Sequence, residues 1–345
     1  MNAAVRAVVK VAAGREVRVL GVERGYDGLI AGRVRNLTRS VKGGLAPVGE
    51  LQDLGNSGGT MLGTARSARF MEVTGRREAE HQMLSLGAKG LVVIGGNGSI
   101  AGAHAFAVEA SIPVVAIPAS IDNDIGCTSD AIGVDTALNT IVEACDRISD
   151  TARALKRAFI VEVMGRQSGY LAMASAVAAA ADAVLLPEQQ RTDNEIIDAV
   201  ASVIESSLAT ARRKRKVLII KAEGVTLPTQ ELVDALEQRV GHQDIDVRAT
   251  VLGHIVRGGA PSFHDRMLAG RVGLVAVEAL LNGENDVMTA WRTTVEGGKP
   301  TSDPMVNLFP IPQMLEETAA LLDGSSEVTK RRIRRMEEIQ GVLAL

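Results

Sequence analysis

Short runs of aliphatic residues recur along the chain, and each run ends in glycine or in polar residues. The seven runs are VRVLGV (17–22), GLVVIGG (90–96), IPVVAIP (112–118), RAFIVEVMG (157–165), DAVLLPE (182–188), KVLIIKAEG (216–224) and VRATVLGHI (247–255). Most segments between them place apolar residues three or four positions apart, which is the spacing of an amphipathic helix. In GVDTALNTIVEACDRISD, for example, Ala137, Ile141, Ala144 and Ile148 fall on one helical face. The pattern therefore predicts strands that alternate with helices.

The predicted strands are apolar at successive positions rather than at every second position. This is typical of parallel strands that helices cover on both faces. We therefore expect an α/β protein with mostly parallel sheets, in which ligands bind at the carboxyl ends of the strands. The helix-rich pattern resumes after Arg257, which favours two interleaved Rossmann-like three-layer domains.

The amino-acid composition excludes several classes of protein function. The 345 residues suffice for about two domains, and a hydrophobic content of 46% supplies their cores. The net charge of −3 excludes a strong overall attraction to nucleic acid or to an anionic membrane. Cys127 and Cys145 are too few for a disulfide framework or a zinc site, which indicates the reducing cytoplasm. Polar or charged residues interrupt the most apolar stretches, so we expect neither a membrane span nor a secretory signal.

The loop GGNGS at 95–99 lies between a predicted strand and a predicted helix. Gly95, Gly96 and Gly98 would let a phosphate approach the backbone, and Ser99 would begin a helix whose N-terminus attracts anions. The loop has neither the Walker ending nor the dinucleotide fingerprint. Taken alone, a tight strand-to-helix turn explains it equally well.

The segment ASIDND at 119–124 ends an entirely apolar run with two acids and an amide. A protein interior does not tolerate such a cluster without partners. Asp124 could hold Mg²⁺, which takes one or two carboxylates together with substrate oxygens. Asp122 could accept a proton from an attacking hydroxyl group. The alternative is an Asx turn with a pair of helix-capping residues.

Cationic residues follow strands in the second half of the chain. Arg166 lies in EVMGRQSG, and Arg248, His254 and Arg257 lie in VRATVLGHIVRGG. Arginine suits bidentate recognition of phosphate, and Glu223 in KAEG is a suitable acceptor for sugar hydroxyls. His254 taken alone would more often be a core histidine. Acids at one loop and several cations at others are typical of phosphoryl transfer to a phosphorylated substrate.

Together these motifs resemble those of the phosphofructokinase family, which phosphorylates the 1-hydroxyl of fructose 6-phosphate. The family patterns GGDGS, PxTIDND, EVMGR, EG and LGHxQRGG are represented here by GGNGS, PASIDND, EVMGR, AEG and LGHIVRGG. The resemblance covers nearly the whole chain. It implies a nucleotide-binding domain made of residues 1–133 and 257–306, and a fructose 6-phosphate-binding domain made of residues 134–256 and 307–345. It also implies a cytoplasmic glycolytic enzyme that produces fructose 1,6-bisphosphate with Mg²⁺ and ATP.

The resemblance implies roles for residues at the reaction centre. Asp122 matches the general base on the 1-hydroxyl, and Arg166 matches the arginine that steadies the transferring phosphoryl group. The implied catalytic residues are Asp122, Arg166, Ser120 and Asp124, and the implied metal ligands are Asn97 and Asp124. The implied nucleotide contacts are Arg66, Ser67, Gly96, Asn97, Gly98 and Ser99.

The resemblance also implies how the sugar phosphate is bound. Glu223 matches a ligand of the sugar hydroxyls, and His254 and Arg257 match ligands of the 6-phosphate. Arg157 and Arg248 match arginines that reach the 6-phosphate from a neighbouring subunit, which implies a homo-oligomer, usually a tetramer. The implied contacts to fructose 6-phosphate are Ser120, Ile121, Asp122, Arg157, Met164, Gly165, Arg166, Glu223, Arg248, His254 and Arg257.

Two positions bear on the phosphoryl donor. Pyrophosphate-using relatives usually carry aspartate where this chain has Gly98, and lysine where it has Ala119. Gly98 leaves space for the α-phosphate of a nucleotide, so the resemblance favours ATP, and a pyrophosphate-dependent enzyme is the alternative. Kinases of the NAD or diacylglycerol type share a GGDGT-like loop, but they have no counterpart of EVMGR and LGHIVRGG.

Two features depart from the family pattern. Asn97 replaces the aspartate of GGDGS, and the loss of its charge weakens a site for a hard cation. The chain also begins at MNAAVRAVV, where the family has a preceding strand and a GGDxPGxN loop. We expect either an internal methionine that was taken as the start or a truncated protein with an unpaired sheet edge. Both departures motivate a further alternative, a catalytically silent regulatory subunit that binds fructose phosphate.

Overall fold

The computed structural model describes residues 1–155, 157–208, 216–241 and 245–343. The helices in these ranges are α1 (Asn2–Gly14), α2 (Gly25–Ile30), α3 (Ala68–Met71), α4 (Val73–Ser85), α5 (Asn97–Glu109), α6 (Val134–Leu155), α7 (Tyr170–Ala178), α8 (Asp193–Leu208), α9 (Thr229–Val240), α10 (Phe263–Leu281), α11 (Ile311–Asp323) and α12 (Glu327–Leu343). The strands are β1 (Leu20–Val22), β2 (Val34–Asn36), β3 (Thr38–Val41), β4 (Gly44–Pro47), β5 (Leu91–Gly95), β6 (Val114–Pro118), β7 (Ala158–Val163), β8 (Ala183–Leu185), β9 (Val217–Ala222), β10 (Val247–Val251), β11 (Val287–Trp291), β12 (Lys299–Pro300) and β13 (Val306–Pro310). Among the described helices, none has the length and hydropathy needed to cross a bilayer.

The chain divides into two compact units, each assembled from separate chain segments. Unit 1 consists of Met1–Ser120, Ile125–Gly133 and Gly259–Thr318, and unit 2 consists of Ile121–Asp124, Val134–Gly258 and Ala319–Leu345. The ligand that each part of the chain binds, nucleotide or sugar phosphate, stays a prediction.

The main sheet of unit 1 has the strand order β12-β13-β11-β6-β5. Strands β5, β6 and β11 run parallel, whereas β13 is antiparallel to β11. All five residues of β6 are buried, as its uninterrupted apolar run predicted. The phosphate loop at 95–99 and the acidic segment at 119–124 therefore follow two adjacent parallel strands.

Helices α1 and α10 pack closely in the core of unit 1. A β-carbon on Gly273 of α10 would lie only 2.8 Å from the β-carbon of Ala7 in α1, so glycine permits this approach. Ala4 and Val8 of α1 belong to one buried cluster with residues of α10 and with Trp291 of β11. The core is mainly aliphatic, in agreement with the 2% aromatic content of the sequence.

The sheet of unit 2 has the order β10-β7-β9-β8, and every neighbouring pair in it is parallel. The prediction of an α/β protein with mostly parallel sheets is thereby confirmed. In α6 the buried residues Ala137, Ile141 and Cys145 recur at every fourth position. Because these strands are parallel, the residues that follow β7, β9 and β10 lie along one edge of the sheet. The residues that precede these strands lie along the opposite edge.

Candidate active site

The two acids of the SIDND segment belong to unit 2, in a turn where Asn123 has the left-handed φ of 47°. Asp122 is only 5% exposed. Burial raises the pKa of the Asp122 carboxyl, and the charge of Asp124 raises it further, while Arg166 and Arg257 lower it. A carboxylate in this environment holds a proton more strongly than an exposed aspartate does. It therefore suits the role of a general base.

Arg166 lies beside Asp122. The Nε atom of Arg166 is 3.6 Å from Oδ2 of Asp122, and the arginine side chain is 64% exposed. Its backbone has a φ of 53°, which is unusual for a residue with a β-carbon. The structure thus brings together the predicted base and the predicted phosphoryl-binding arginine, with much of the guanidinium side chain accessible to an anion.

Glu223 follows β9 and contacts the loop that carries Arg166. Its Oε1 atom accepts hydrogen bonds from the backbone N–H groups of Gly165, at 3.1 Å, and of Arg166, at 2.7 Å. Met164 and Gly165, the predicted sugar contacts in this loop, are buried. The role of Glu223 as a ligand of sugar hydroxyls stays a prediction, and one of its oxygens already holds the backbone of the loop.

His254 and Arg257 lie in a 3-10 turn, Gly253–Arg257, that follows β10. Both side chains are exposed, whereas Val256 between them is buried and anchors the turn. The Leu252 N–H group donates a hydrogen bond of 3.0 Å to the carbonyl of Glu162 in β7, which ties the turn to the sheet. Two exposed side chains that could bind phosphate thus lie at the same edge of the sheet as Arg166.

Arg157 and Arg248 lie at the opposite edge of this sheet, where β7 and β10 begin. The carboxylate of Asp246 bridges them: Oδ2 pairs with Nε of Arg157, and Oδ1 lies 2.9 Å from Nη2 of Arg248. Strand β7 has six residues, which span about 20 Å at about 3.3 Å per residue. The structure therefore joins these two arginines in one cluster but does not bring that cluster to Arg166.

The phosphate loop in unit 1 begins α5. Gly96 is the N-cap of this 13-residue helix, and the Ser99 N–H group donates to its carbonyl at 2.9 Å. A β-carbon on Gly95 would lie 2.6 Å from Oγ of Ser99, so the tight turn requires glycine there. A β-carbon on Gly98 would meet no atom within 4 Å. Packing therefore does not demand glycine at 98, and the space beside it is open.

Ser120, Arg66 and Ser67 also belong to unit 1. A β-carbon on Gly96 would lie 3.5 Å from that of Ser120, so the serine adjoins the phosphate loop. The Ala119 N–H group donates to the carbonyl of Gly95 at 2.9 Å, which fixes this arrangement. Ser67 caps α3 by accepting the Phe70 N–H group at 3.3 Å, and Arg66, just before the cap, is exposed.

Sequence reasoning missed Tyr26, which supports the phosphate loop. Its hydroxyl donates a hydrogen bond of 2.5 Å to the carbonyl of Ser99, and its ring stacks on Phe70 with centroids 3.8 Å apart. Burial raises the pKa of the Tyr26 hydroxyl. The chain has only two tyrosines. Their rarity was the one signal in the sequence that could have marked Tyr26.

The donor set determines which metal would fit. Among the described residues, no group of three or more histidine, cysteine, aspartate or glutamate side chains could hold a metal ion. A metal that requires three or four protein ligands does not fit such a site. Mg²⁺ fits better, because it takes one or two carboxylates and completes its shell with water and phosphate oxygens. Asp124, which is partly exposed, is a suitable carboxylate.

The chain is similar in sequence and in structure to known proteins. The family model described as Phosphofructokinase matches residues 1–280. The ATP-dependent 6-phosphofructokinase of Thermotoga neapolitana is 42% identical, over 93% of this chain and 95% of the relative. ATP-dependent 6-phosphofructokinase 1 of Thermus thermophilus is 40% identical, over 92% of this chain and 90% of the relative. The structure of phosphofructokinase from Saccharomyces cerevisiae superimposes with a TM-score of 0.82 at 27% sequence identity. The match covers 99% of this chain and about half (48%) of the longer yeast chain.

Proposed function

Because the chain belongs to the phosphofructokinase family, we propose that it transfers a phosphoryl group from ATP to fructose 6-phosphate. The product is fructose 1,6-bisphosphate, and the reaction belongs to glycolysis. The observation that carries the proposal is the position of the exposed Arg166 beside the buried Asp122, with Nε and Oδ2 3.6 Å apart. The names of relatives that are about 40% identical over most of the chain support ATP as the donor.

Asp122 acts as the general base. Its carboxylate takes the proton of the 1-hydroxyl while the hydroxyl oxygen attacks the γ-phosphorus of ATP, and the bond from that phosphorus to the ADP oxygen breaks. Arg166 counters the negative charge that the transferring phosphoryl group spreads over its oxygens. Its exposed side chain suits this contact, since the guanidinium can donate two parallel hydrogen bonds to an anion.

Unit 2 supplies the sugar-phosphate ligands. We assign the 6-phosphate to His254 and Arg257, which are exposed on the turn after β10. Glu223 would use its Oε2 atom for a sugar hydroxyl, because its Oε1 atom already accepts two backbone N–H groups. Ile121 and Met164 would add apolar contact to the sugar ring.

Unit 1 supplies the nucleotide-phosphate ligands. The backbone of Gly96–Ser99 lies at the N-terminus of α5, where a helix attracts phosphate. The open space beside Gly98 leaves room for the additional phosphate of a nucleotide, which supports ATP over pyrophosphate. Arg66 and Ser67 would add contacts to the same nucleotide. Mg²⁺, which Asp124 would hold, neutralises phosphate charge when it is bound.

We propose that the active chain is a homo-oligomer, most simply a tetramer, in the cytoplasm. Arg157 and Arg248 form one cluster with Asp246 at the edge of the sheet opposite to Arg166. Two guanidinium groups held side by side suit a phosphate, and the length of β7 keeps them from the phosphate bound in their own chain. The 6-phosphate of a neighbouring copy is then their natural ligand. Two free, buried cysteines are in keeping with a reducing compartment.

Steady-state ADP release with fructose 6-phosphate, Mg²⁺ and ATP tests the function. We expect turnover with ATP and little with pyrophosphate. The variant Asp122→Asn should lower kcat by about 10²- to 10⁴-fold, the usual contribution of a general base. Asp150→Asn, at an exposed aspartate of the same unit, is the control and should keep full activity. Turnover with pyrophosphate alone, or full activity of Asp122→Asn, contradicts the proposal.

A further inference from the structure

The loop that joins β7 to α7 holds Arg166 in a conformation that is unfavourable for arginine. The φ of Arg166, 53°, lies in the left-handed region, which persists in a non-glycine residue only when the surroundings enforce it. Gly165 before it has a φ of 149°, and a β-carbon there would lie 2.4 Å from the carbonyl oxygen of Ser168. The loop therefore depends on contacts from other elements to keep Arg166 in place.

Two carboxylates from elsewhere in unit 2 supply those contacts. Glu223 accepts the N–H groups of Gly165 and Arg166 at the first end of the loop. Glu188 accepts the N–H group of Gly169 at the second end, with an N–Oε1 distance of 2.7 Å. Gly165 and Gly169 are both buried. Without the carboxylates their amide groups would lack a partner away from water.

Glu188 fits its position closely. It lies in a 3-10 turn, Pro187–Gln189, that follows β8. A β-carbon on Gly169 would lie 2.5 Å from Oε2 of Glu188 and 2.8 Å from Cδ2 of Leu186, so glycine at 169 is what admits the carboxylate. Gly169 is also the N-cap of α7, and the N-terminus of a helix favours an anion.

We propose that Glu188 is a positioning residue for phosphoryl transfer. It fixes the Gly169 end of the loop, as Glu223 fixes the Gly165 end, and so holds Arg166 beside Asp122. Glu188 acts only through the backbone of the loop and touches no reacting atom. The inference rests on the proposed function, because that function assigns Arg166 to the transferring phosphoryl group.

A double-mutant cycle tests the proposal. Glu188→Ala should lower kcat by about 10- to 100-fold, since small displacements of catalytic groups are this costly, and should change KM for fructose 6-phosphate less. Glu188→Gln keeps a carbonyl oxygen for the Gly169 amide and should retain most activity. In an Arg166→Ala background, Glu188→Ala should cost no further kcat, because no arginine is left to position. Full activity of Glu188→Ala, or an undiminished loss in that background, overturns the proposal.

Glu195→Ala is the matched control. The Oε2 atom of Glu195 accepts the N–H group of Thr192, the residue just before α8, at 2.8 Å. Like Glu188, Glu195 is thus a carboxylate of unit 2 that accepts a backbone N–H group at the start of a helix. This variant should lower Tm and leave kcat unchanged. An equal loss of kcat in both variants would indicate general damage and would reject the positioning role. If Glu188→Ala does not fold, Glu188→Asp replaces it, because its shorter side chain withdraws the carboxylate from Gly169.

Amide hydrogen exchange, measured without substrates, separates this inference from the proposed function. Exchange in the peptide covering residues 164–170 should be faster in Glu188→Ala than in the unmodified chain and unchanged in Glu195→Ala. Unchanged exchange in Glu188→Ala rejects the inference even if the enzyme turns over normally. Faster exchange in a chain that never releases ADP would support the loop contact and reject the proposed function.

Discussion

Asn97, the first residue of α5, puts an uncharged amide where the family pattern has a carboxylate. We predict that Asn97→Asp will lower the Mg²⁺ concentration needed for half-maximal turnover several-fold, because a carboxylate attracts a hard cation more strongly than an amide does. The first turn of a helix also tolerates a negative charge well. The measurement is the initial rate as a function of Mg²⁺ at saturating ATP. Asn194→Asp, at an exposed position of α8, is the control, and an unchanged Mg²⁺ requirement in Asn97→Asp would contradict the prediction.

The two cysteines should be unreactive in the folded protein. Burial raises the pKa of Cys127 to about 12 and that of Cys145 to about 11. The reactive species is the thiolate, so almost none is present at pH 8. We predict that a thiol-specific chromogenic reagent labels no cysteine in the native protein at pH 8 and two per chain after denaturation. Rapid labelling of either thiol in the native state would show that the side chain is accessible and ionised.

At the level of elements, Arg76 connects α4 to α5, the helix that follows the phosphate loop. Its Nε and Nη2 atoms donate to the Glu109 carboxylate at 2.8 and 2.7 Å, and its Nη1 atom donates to the carbonyls of Phe70 and Met71. The Arg76 side chain is only 10% exposed. Arg76→Ala should therefore lower the free energy of unfolding by roughly 3 kcal/mol, because it leaves partly buried acceptors without their partner.

Denaturant unfolding measures this loss, and Arg77→Ala, at the exposed neighbouring residue, is the control. The hydrogen bond from Arg76 lowers the pKa of Glu109 in the folded state. Its stabilising contribution is therefore present above the pKa of an unfolded glutamate and is lost as the pH falls through the lower, folded value. The difference between the unmodified chain and Arg76→Ala should shrink at acid pH. A difference that grows on acidification would reject this assignment.

The strands that the sequence predicted lie in short, largely aliphatic runs, although β7, β9 and β10 each include one charged residue. Each of the seven runs contains a strand, although the first is shorter than its run and pairs antiparallel with β2. Strands β3 and β4 were not predicted, because most of their residues are partly or fully exposed and carry no apolar run. Strands β11 and β13 were missed for another reason. Each holds a polar residue, Thr289 or Asn307, and neither leads into a loop with a candidate site motif, which is what marked the runs at β7, β9 and β10 despite their charged residues.

The residues of the candidate site also fall into two sets, those that the sequence identified and those that it did not. Loops with a local signature, such as SIDND and EVMGR, were identified from the sequence. Glu188 and Asp246 were not, because each is defined by partners that the fold supplies. Glu188 bonds Gly169, 19 positions away, and Asp246, just before β10, pairs with Arg157, just before β7. A short sequence window cannot contain such pairs, so a folded sheet is needed to identify them.

At the scale of the whole molecule, the two ends of the unit 2 sheet carry separate groups of charged side chains. Asp122 and Arg166 form one group, and Arg157 and Arg248 form the other, held by Asp246. If a complete site combines the first group of one copy with the second group of its neighbour, defects in different groups can complement each other. An oligomer made of two defective chains would then contain some intact sites.

We predict such complementation between Asp122→Asn and Arg248→Ala. Each variant alone should be nearly inactive at low fructose 6-phosphate. Random co-assembly of equal amounts should restore roughly one quarter of the normal activity, because half of the sites keep Asp122 and half of those receive an intact Arg248 from the neighbour. Co-expression with two affinity tags, followed by assay of the doubly purified oligomer, measures the recovery.

The decisive control is a mixture of Asp122→Asn with His254→Ala. His254 lies at the same edge of the sheet as Arg166, so both defects belong to the site of their own chain, and no arrangement of copies yields an intact site. This mixture should show no recovery. Equal recovery in both mixtures would mean that exchange of defective chains restores activity for some other reason. No recovery in either mixture would mean that Arg248 acts within its own chain, and the length of β7 would then require a second, separate anion site.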